Sequence, residues 1–245
     1  MVRTLLIRGM IAGIAAAVLT FVFQYLVGEP ALDGGIAFEE RLGEAAGEPA
    51  GEMVSRGTQS TVGLAVALLL YGVAIGGIFA LAFAAAYGRL GRLSGRATSA
   101  VLALVGFVVV VVVPFLKYPA NPPASSIDDT IGARTGTYVL MVAASVLVAA
   151  GAVLLGRRLV ARFGSWNGVL LAALGYVVVM GVVGALLPVV DETPAGFPAT
   201  VLYDFRLASL GGQLMLWTVL GLVFGALVDR GSRRIDRASV EPASR

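Results

Sequence analysis

Cysteine and histidine are both absent from the 245 residues of the sequence. Without cysteine there is no disulfide, thiolate ligand or thiol nucleophile. Without histidine there is no imidazole ligand or base, so Cys/His zinc sites, haem ligation and most acid–base catalysis are excluded. Charge is scarce too, at 13% of residues against roughly 25% in an ordinary soluble domain. That balance excludes a disordered chain and a nucleic-acid-binding one. No Walker-type phosphate loop occurs, so ATP hydrolysis within this chain is not expected.

What remains is apolar. The broad hydrophobic count is 58% and the mean hydropathy +0.90. The 32 glycines are nearly twice the usual share of roughly 7%. They are scattered through the apolar runs with no collagen-like period, a pattern that suits closely packed membrane helices.

A helix needs about 20 mostly apolar residues to cross a hydrocarbon core of roughly 30 Å. Six runs meet that length, at about residues 9–27, 61–87, 97–114, 135–156, 168–190 and 207–228. The first follows Arg3 and Arg8 and has some likeness to a signal peptide, but no A-x-A site follows it, so it reads as a retained helix. The third contains six consecutive valines and runs into Pro-Phe-Leu-Lys-Tyr-Pro-Ala-Asn-Pro-Pro, whose prolines are expected to stop it at Pro114. The expected architecture is an all-α integral membrane protein with six transmembrane helices arranged as three hairpins. A membrane domain of residues 1–230 includes an acidic extracytoplasmic loop at 29–59, and a basic tail follows at 231–245.

Orientation follows from arginine and lysine, which favour the cytoplasmic side. Thirteen fall on the side of both termini and five, Arg41, Arg56, Lys117, Arg134 and Arg206, on the other. Twelve of the fifteen acidic residues show the reverse bias. Both termini are therefore expected in the cytoplasm.

The three outer loops share a plan. Each outgoing helix is expected to end near a proline, at Pro30, Pro114 and Pro188, and each returning helix to open with an arginine, Arg56, Arg134 or Arg206. A cation there opposes the helix dipole and calls for a partner or a ligand. Asp204, Asp128 with Asp129, and Glu52 are the nearest acids in sequence. Two readings stand side by side, an ion pair that anchors the helix end in the interface and a substrate vestibule. Within the spans no residue is formally charged, which weighs against a carboxylate relay. Gln24 and Gln213 are the most expensive of the remaining polar residues to bury, and interhelical hydrogen bonding is their plainest explanation. The pairs Gly9/Gly13, Gly72/Gly76 and Gly221/Gly225 read as G-x-x-x-G packing surfaces.

The first outer loop carries Glu40, Glu44, Glu48 and Glu52 at four-residue spacing. On a helix they would repel unless a hard cation neutralised them. Glycines and Pro49 nearby argue instead for a solvated loop. Glu40 and Glu44, with Asp128 and Asp129 of the second loop, are the candidate metal ligands.

The segment Lys117-Tyr118-Pro119-Ala120-Asn121-Pro122-Pro123-Ala124, followed by Asp128-Asp129-Thr130-Ile131-Gly132-Ala133-Arg134-Thr135, resembles the CbtA family of probable cobalt transporter subunits. Pro188, Gly196-Phe197-Pro198, Tyr203-Asp204-Phe205-Arg206-Leu207-Ala208-Ser209 and Gln24 before an outer proline extend the resemblance over nearly the whole chain. It implies a cytoplasmic-membrane protein that takes part in cobalt uptake for cobalamin supply beside a small single-span CbtB-like subunit. The family's first outer loop often bears histidines, good ligands for a borderline metal; this chain has only glutamates there.

The resulting expectation is a divalent-cation transport subunit, in the bilayer, without a cofactor, enzymatic activity or nucleic-acid partner. Its path is expected along Gln24, Gln213, Lys117, Tyr118 and Asn121, with Arg134, Asp204 and Arg206 at the outer ends. The alternatives are a permease for an anion or small metabolite gathered by Lys117, Arg134 and Arg206, and a non-transporting scaffold.

Overall fold

The structure is a computed structural model that describes residues 2–47, 55–89, 91, 93–123, 125, 131–190, 193–194 and 196–240. Among these the secondary structure is entirely helical. Helix α1 (Val2–Phe23) continues through a π turn (Gln24–Gly28) into α2 (Glu29–Ala46). A short α3 (Arg56–Thr58) passes through a second π turn (Gln59–Gly63) into α4 (Leu64–Ala86). Helix α5 (Gly95–Gly106) passes through a third (Phe107–Val112) into α6 (Val113–Lys117). Two long helices follow, α7 (Ile131–Leu186) and α8 (Ala199–Val240). Five of these continuous helices are long and apolar enough to cross a membrane.

Two prolines expected to end helices lie inside them. Proline lacks an N–H, and its ring presses on the carbonyl four residues earlier. For Pro30 and Pro114 those carbonyls belong to Leu26 and Val110, and both lie in π turns. The wider turn relieves the clash, so the helix continues. The valine run is the third π turn and its flanks, and α6 then stops at Lys117. The second π turn holds no proline. There the Ser60 and Thr61 hydroxyls donate to the Gly57 carbonyl at 3.3 and 2.6 Å, supplying donors the altered ladder lacks.

Residues 29–46 form the helix α2, although Gly43, Gly47, Gly51 and Pro49 read in the sequence as a solvated acidic loop. Two further glycines of this helix serve packing. A Cβ at Gly34 would press on Val201 at 3.1 Å, and one at Gly35 on Pro122 at 2.9 Å. Close approach outweighs glycine's poor helix propensity here.

The chain forms two compact units, one of residues 1–31, 48–107 and 208–245, the other of 32–47 and 108–207. In the first unit, α1 crosses α4 on glycine. A Cβ at Gly9 or Gly13 would collide with the backbone of Gly76 or Gly72, and the reverse holds for each partner. This is the small-residue packing expected of membrane helices, with van der Waals contact standing in for the hydrophobic effect. Gly221 and Gly225 of α8 pack on Ala103, Ser99 and Arg96 of α5. Beside them Phe224 meets Phe79 and Phe83 edge to face, at centroid distances of 5.3 and 5.0 Å, an arrangement favoured by the ring quadrupoles. Arg96 pairs with Asp229 at 3.1 Å.

In the second unit α7 is not one rod. Gly164 has φ 79° and ψ 166°, a conformation natural only to glycine. The two arms fold back on each other. A Cβ at Gly168 would strike the Leu159–Val160 backbone, and Gly156 approaches Ala172. Farther along, Met141 clusters with Met180 and Tyr118, and the Ser145 hydroxyl meets the Tyr176 hydroxyl at 2.7 Å. The linker expected between residues 156 and 168 is thus helical apart from this one break.

Three helix starts also differ from expectation. The second long helix opens at Arg56 rather than 61. The third opens at Gly95, where Ser94 caps it by accepting from the Ala97 N–H at 3.2 Å. Helix α8 opens at Ala199 and so begins two turns before Arg206. The helices at Pro30, Pro114 and Pro188 therefore share no common plan. One runs through its proline, one stops a turn after it, and one stops before Pro188.

Candidate functional site

The 117–121 segment of the second unit is held residue by residue. Lys117 ends α6 with its ammonium 5.9 Å from the Tyr118 ring, a cation–π geometry. Tyr118 is buried in the Met141/Met180 cluster, and its hydroxyl donates to the Pro188 carbonyl at 2.7 Å. Arg134, in the first turn of α7, donates to the Pro119 carbonyl at 3.0 Å. Arg206 donates from Nε to the Ala120 carbonyl at 3.3 Å and from Nη2 to Asn121 Oδ1 at 2.9 Å. The Arg134 charge repels that of Arg206, and the carbonyl and amide oxygens between them offset the repulsion. So the structure brings Lys117, Tyr118, Asn121, Arg134 and Arg206 together, but turns donors of both guanidiniums onto the protein's own oxygens. Asp204 is exposed; Arg206 takes Asn121, not Asp204, as its side-chain partner.

The acidic candidates are not assembled. Glu40 and Glu44 lie one turn apart on α2 and are exposed. Asp128 and Asp129, like Glu48, Glu52, Asp191 and Glu192, lie outside the described residues. Among the described residues no group of three or more His, Cys, Asp and Glu could hold a metal ion. Arg56 pairs with Glu29, a partner distant in sequence; Glu52, the nearby expectation, lies outside the described residues. Glu29 directly follows the first π turn and Arg56 precedes the second, so the ion pair ties two helices in the first unit beside their irregular turns.

Gln24 and Gln213 both belong to the first unit. The Gln24 carboxamide lies between two glycines. A Cβ at Gly212 would sit 2.6 Å from its Nε2, and one at Gly28 would collide with its Oε1. The interhelical hydrogen bond expected of these glutamines is not what the structure contains. The Oε1 atoms of Gln24 and Gln213 are both buried with no hydrogen-bond partner among the described residues. Thr20 Oγ1 and Trp217 Nε1 are in the same condition, in side chains only 2% and 7% exposed. Thr20 is one helical turn before Gln24, and Trp217 one turn after Gln213.

Sequence reasoning missed Thr20, Trp217 and Glu29. The first two carried a signal, since i±4 positions share a helix face with each glutamine. Glu29 carried none, because its partner is 27 residues away.

A family model described as probable cobalt transporter subunit (CbtA) matches residues 2–229. No curated protein and no solved structure matches the chain.

Proposed function

Because the chain belongs to the CbtA family of probable cobalt transporter subunits, we propose that it is the membrane component of a cobalt, or divalent metal, uptake system linked to cobalamin supply. The family match over residues 2–229 carries this reading, and the long apolar helices support a multi-pass membrane protein. The membrane is the cytoplasmic one, crossed six times if the two arms of α7 each cross, with both termini inside, as the arginine distribution favours. The family description names a subunit, so partner subunits are implied; a small single-span CbtB-like chain is the partner we propose. Exposed Glu40 and Glu44 favour cation capture at the outer face, and Gln24 and Gln213 supply polar groups for the interior path. The chain performs no chemistry on its cargo; the driving force is the membrane potential, an ion gradient or another protein.

Labelled cobalt uptake, measured in cells with and without this gene and with the partner present in both, tests the proposal. The gene should raise initial uptake, and equal uptake would refute it.

A further inference from the structure

Between its two apolar arms, α7 concentrates positive charge. Residues 135–156 and 168–186 carry no charged side chain. At the rise of a helix each arm is about 30 Å long, enough to cross the hydrocarbon core. The turn that joins them, broken at Gly164, holds Arg157, Arg158 and Arg162, all exposed. The turn is tight, since a Cβ at Gly168 would strike the Leu159–Val160 backbone. The three arginines therefore sit together at one end of the hairpin, level with the edge of its apolar layer.

No acid from the same stretch of chain answers that charge. The acids of the second unit fall at 33–44, 128–129, 191–192 and 204, all before the first arm or after the second. The first unit treats Arg96 differently, pairing it with Asp229 at 3.1 Å. Around the 157–162 turn the exposed neighbours are apolar instead. Trp166 is 77% exposed, and tryptophan is the residue favoured where the bilayer meets water. The Arg162 guanidinium lies 5.2 Å from the centre of the exposed Phe163 ring, a cation–π contact that supplies no counter-anion. Arg158 and Arg162 continue a face of the first arm on which Leu147 and Leu154 are 72% and 63% exposed. Gly151 between these leucines has open space where a Cβ would stand, so that face carries a shallow apolar lane leading up to the two charges. We infer that this turn binds an anionic phospholipid, its phosphate held by Arg158 and Arg162 and an acyl chain lying along Leu147, Gly151 and Leu154. Guanidinium meets phosphate through paired N–H donors, and an arginine near anionic lipid is worth about fivefold in binding. A free anion or a soluble acidic partner would satisfy the charges and leave the lane and Trp166 uncovered; a lipid covers both. The inference rests on the two arms crossing the bilayer and is independent of the cargo.

Trp217→Phe leaves Trp166 as the single tryptophan of the full chain. The chain is placed in vesicles of phosphatidylcholine with a minority of phosphatidylglycerol, one lipid or the other brominated near the top of its chains, and quenching of Trp166 fluorescence reports which lipid lies beside the turn. Phosphatidylglycerol should be preferred at least about fivefold over phosphatidylcholine, and Arg158→Gln combined with Arg162→Gln should abolish the preference. If the double variant does not insert, either single substitution should lower the preference. Equal quenching by the two lipids, or a preference untouched by the substitutions, overturns the inference. Loss of the preference on adding inorganic phosphate at constant ionic strength also overturns it, because the ligand is then a free anion. Should Trp217→Phe fail to fold, native mass spectrometry of the otherwise unaltered chain makes the same test. Phosphatidylglycerol should be retained by the wild type and lost with the two arginines, and equal retention refutes the site.

Discussion

Ser145 in the second unit and Thr20 in the first are hydroxyls buried almost equally, at 0% and 2% exposure, yet they meet different surroundings. Ser145 lies 2.6 Å from the Val109 carbonyl and 2.7 Å from the Tyr176 hydroxyl. Thr20 has no partner among the described residues. The same contrast extends outward. Tyr118, Arg134, Arg206 and Asn121 are engaged with one another's segments, whereas Gln24, Gln213 and Trp217 join Thr20. These polar groups of the second unit are braces. Thr20, Gln24, Gln213 and Trp217 of the first are not, although Ser99 in the same unit donates to the Gly221 carbonyl at 2.6 Å.

The comparison fails if the first unit is merely loose. Gly13→Leu probes that most severely, because the new side chain would meet the Gly72 carbonyl. Overpacking of a tight core costs about 1–3 kcal/mol, and more where backbone cannot yield. We expect no folded protein by size exclusion in detergent, and a wild-type elution profile would show slack in the interface.

Arg206→Ala removes a brace from the second unit. It leaves Asn121 Oδ1 and the Ala120 carbonyl without that donor, a loss of about 1–3 kcal/mol visible as a lowered melting temperature. An unchanged melt would mean that the 117–121 segment is held by something else. Tyr118→Phe removes only the bond to the Pro188 carbonyl and should cost roughly 0.6–1 kcal/mol, the usual worth of a hydrogen bond in a membrane protein.

Gln213→Leu should move stability least and in the other direction. Replacing an orphaned amide by an apolar group of similar size is expected to be neutral or stabilising, by up to about 1 kcal/mol. Destabilisation comparable to Arg206→Ala would show that Gln213 has a structural partner, and the contrast between the units would vanish.

How much of this was legible beforehand depends on the kind of signal. Apolar run lengths located the long helices, since span length is fixed by hydrocarbon thickness. They placed helix ends poorly. Pro30 and Pro114 read as stops because a proline's clash is local, while its relief by a π turn depends on backbone geometry that composition does not encode. Gly43, Gly47, Gly51 and Pro49 read as loop formers, and the helix over residues 29–46 was missed; the contacts of its Gly34 and Gly35 with Val201 and Pro122 are long-range. The G-x-x-x-G pairs were legible because helical periodicity alone aligns them. Of the candidate site, Gln24 and Gln213 stood out by cost of burial, but their lack of partners could be seen only in the fold. Arg134 and Arg206 stood out as charges at helix ends, and sequence could not tell a ligand-binding arginine from one bound to backbone carbonyls across 15 or 86 residues.

The central claim is that Gln24 and Gln213 of the first unit serve passage of the cation, not stability. Its most direct test is the initial rate of labelled cobalt uptake by cells carrying Gln213→Leu, at the wild-type level of folded protein in the membrane. The account predicts a fall of about tenfold or more, the equivalent of at least roughly 1.4 kcal/mol. Uptake at the wild-type rate would contradict it.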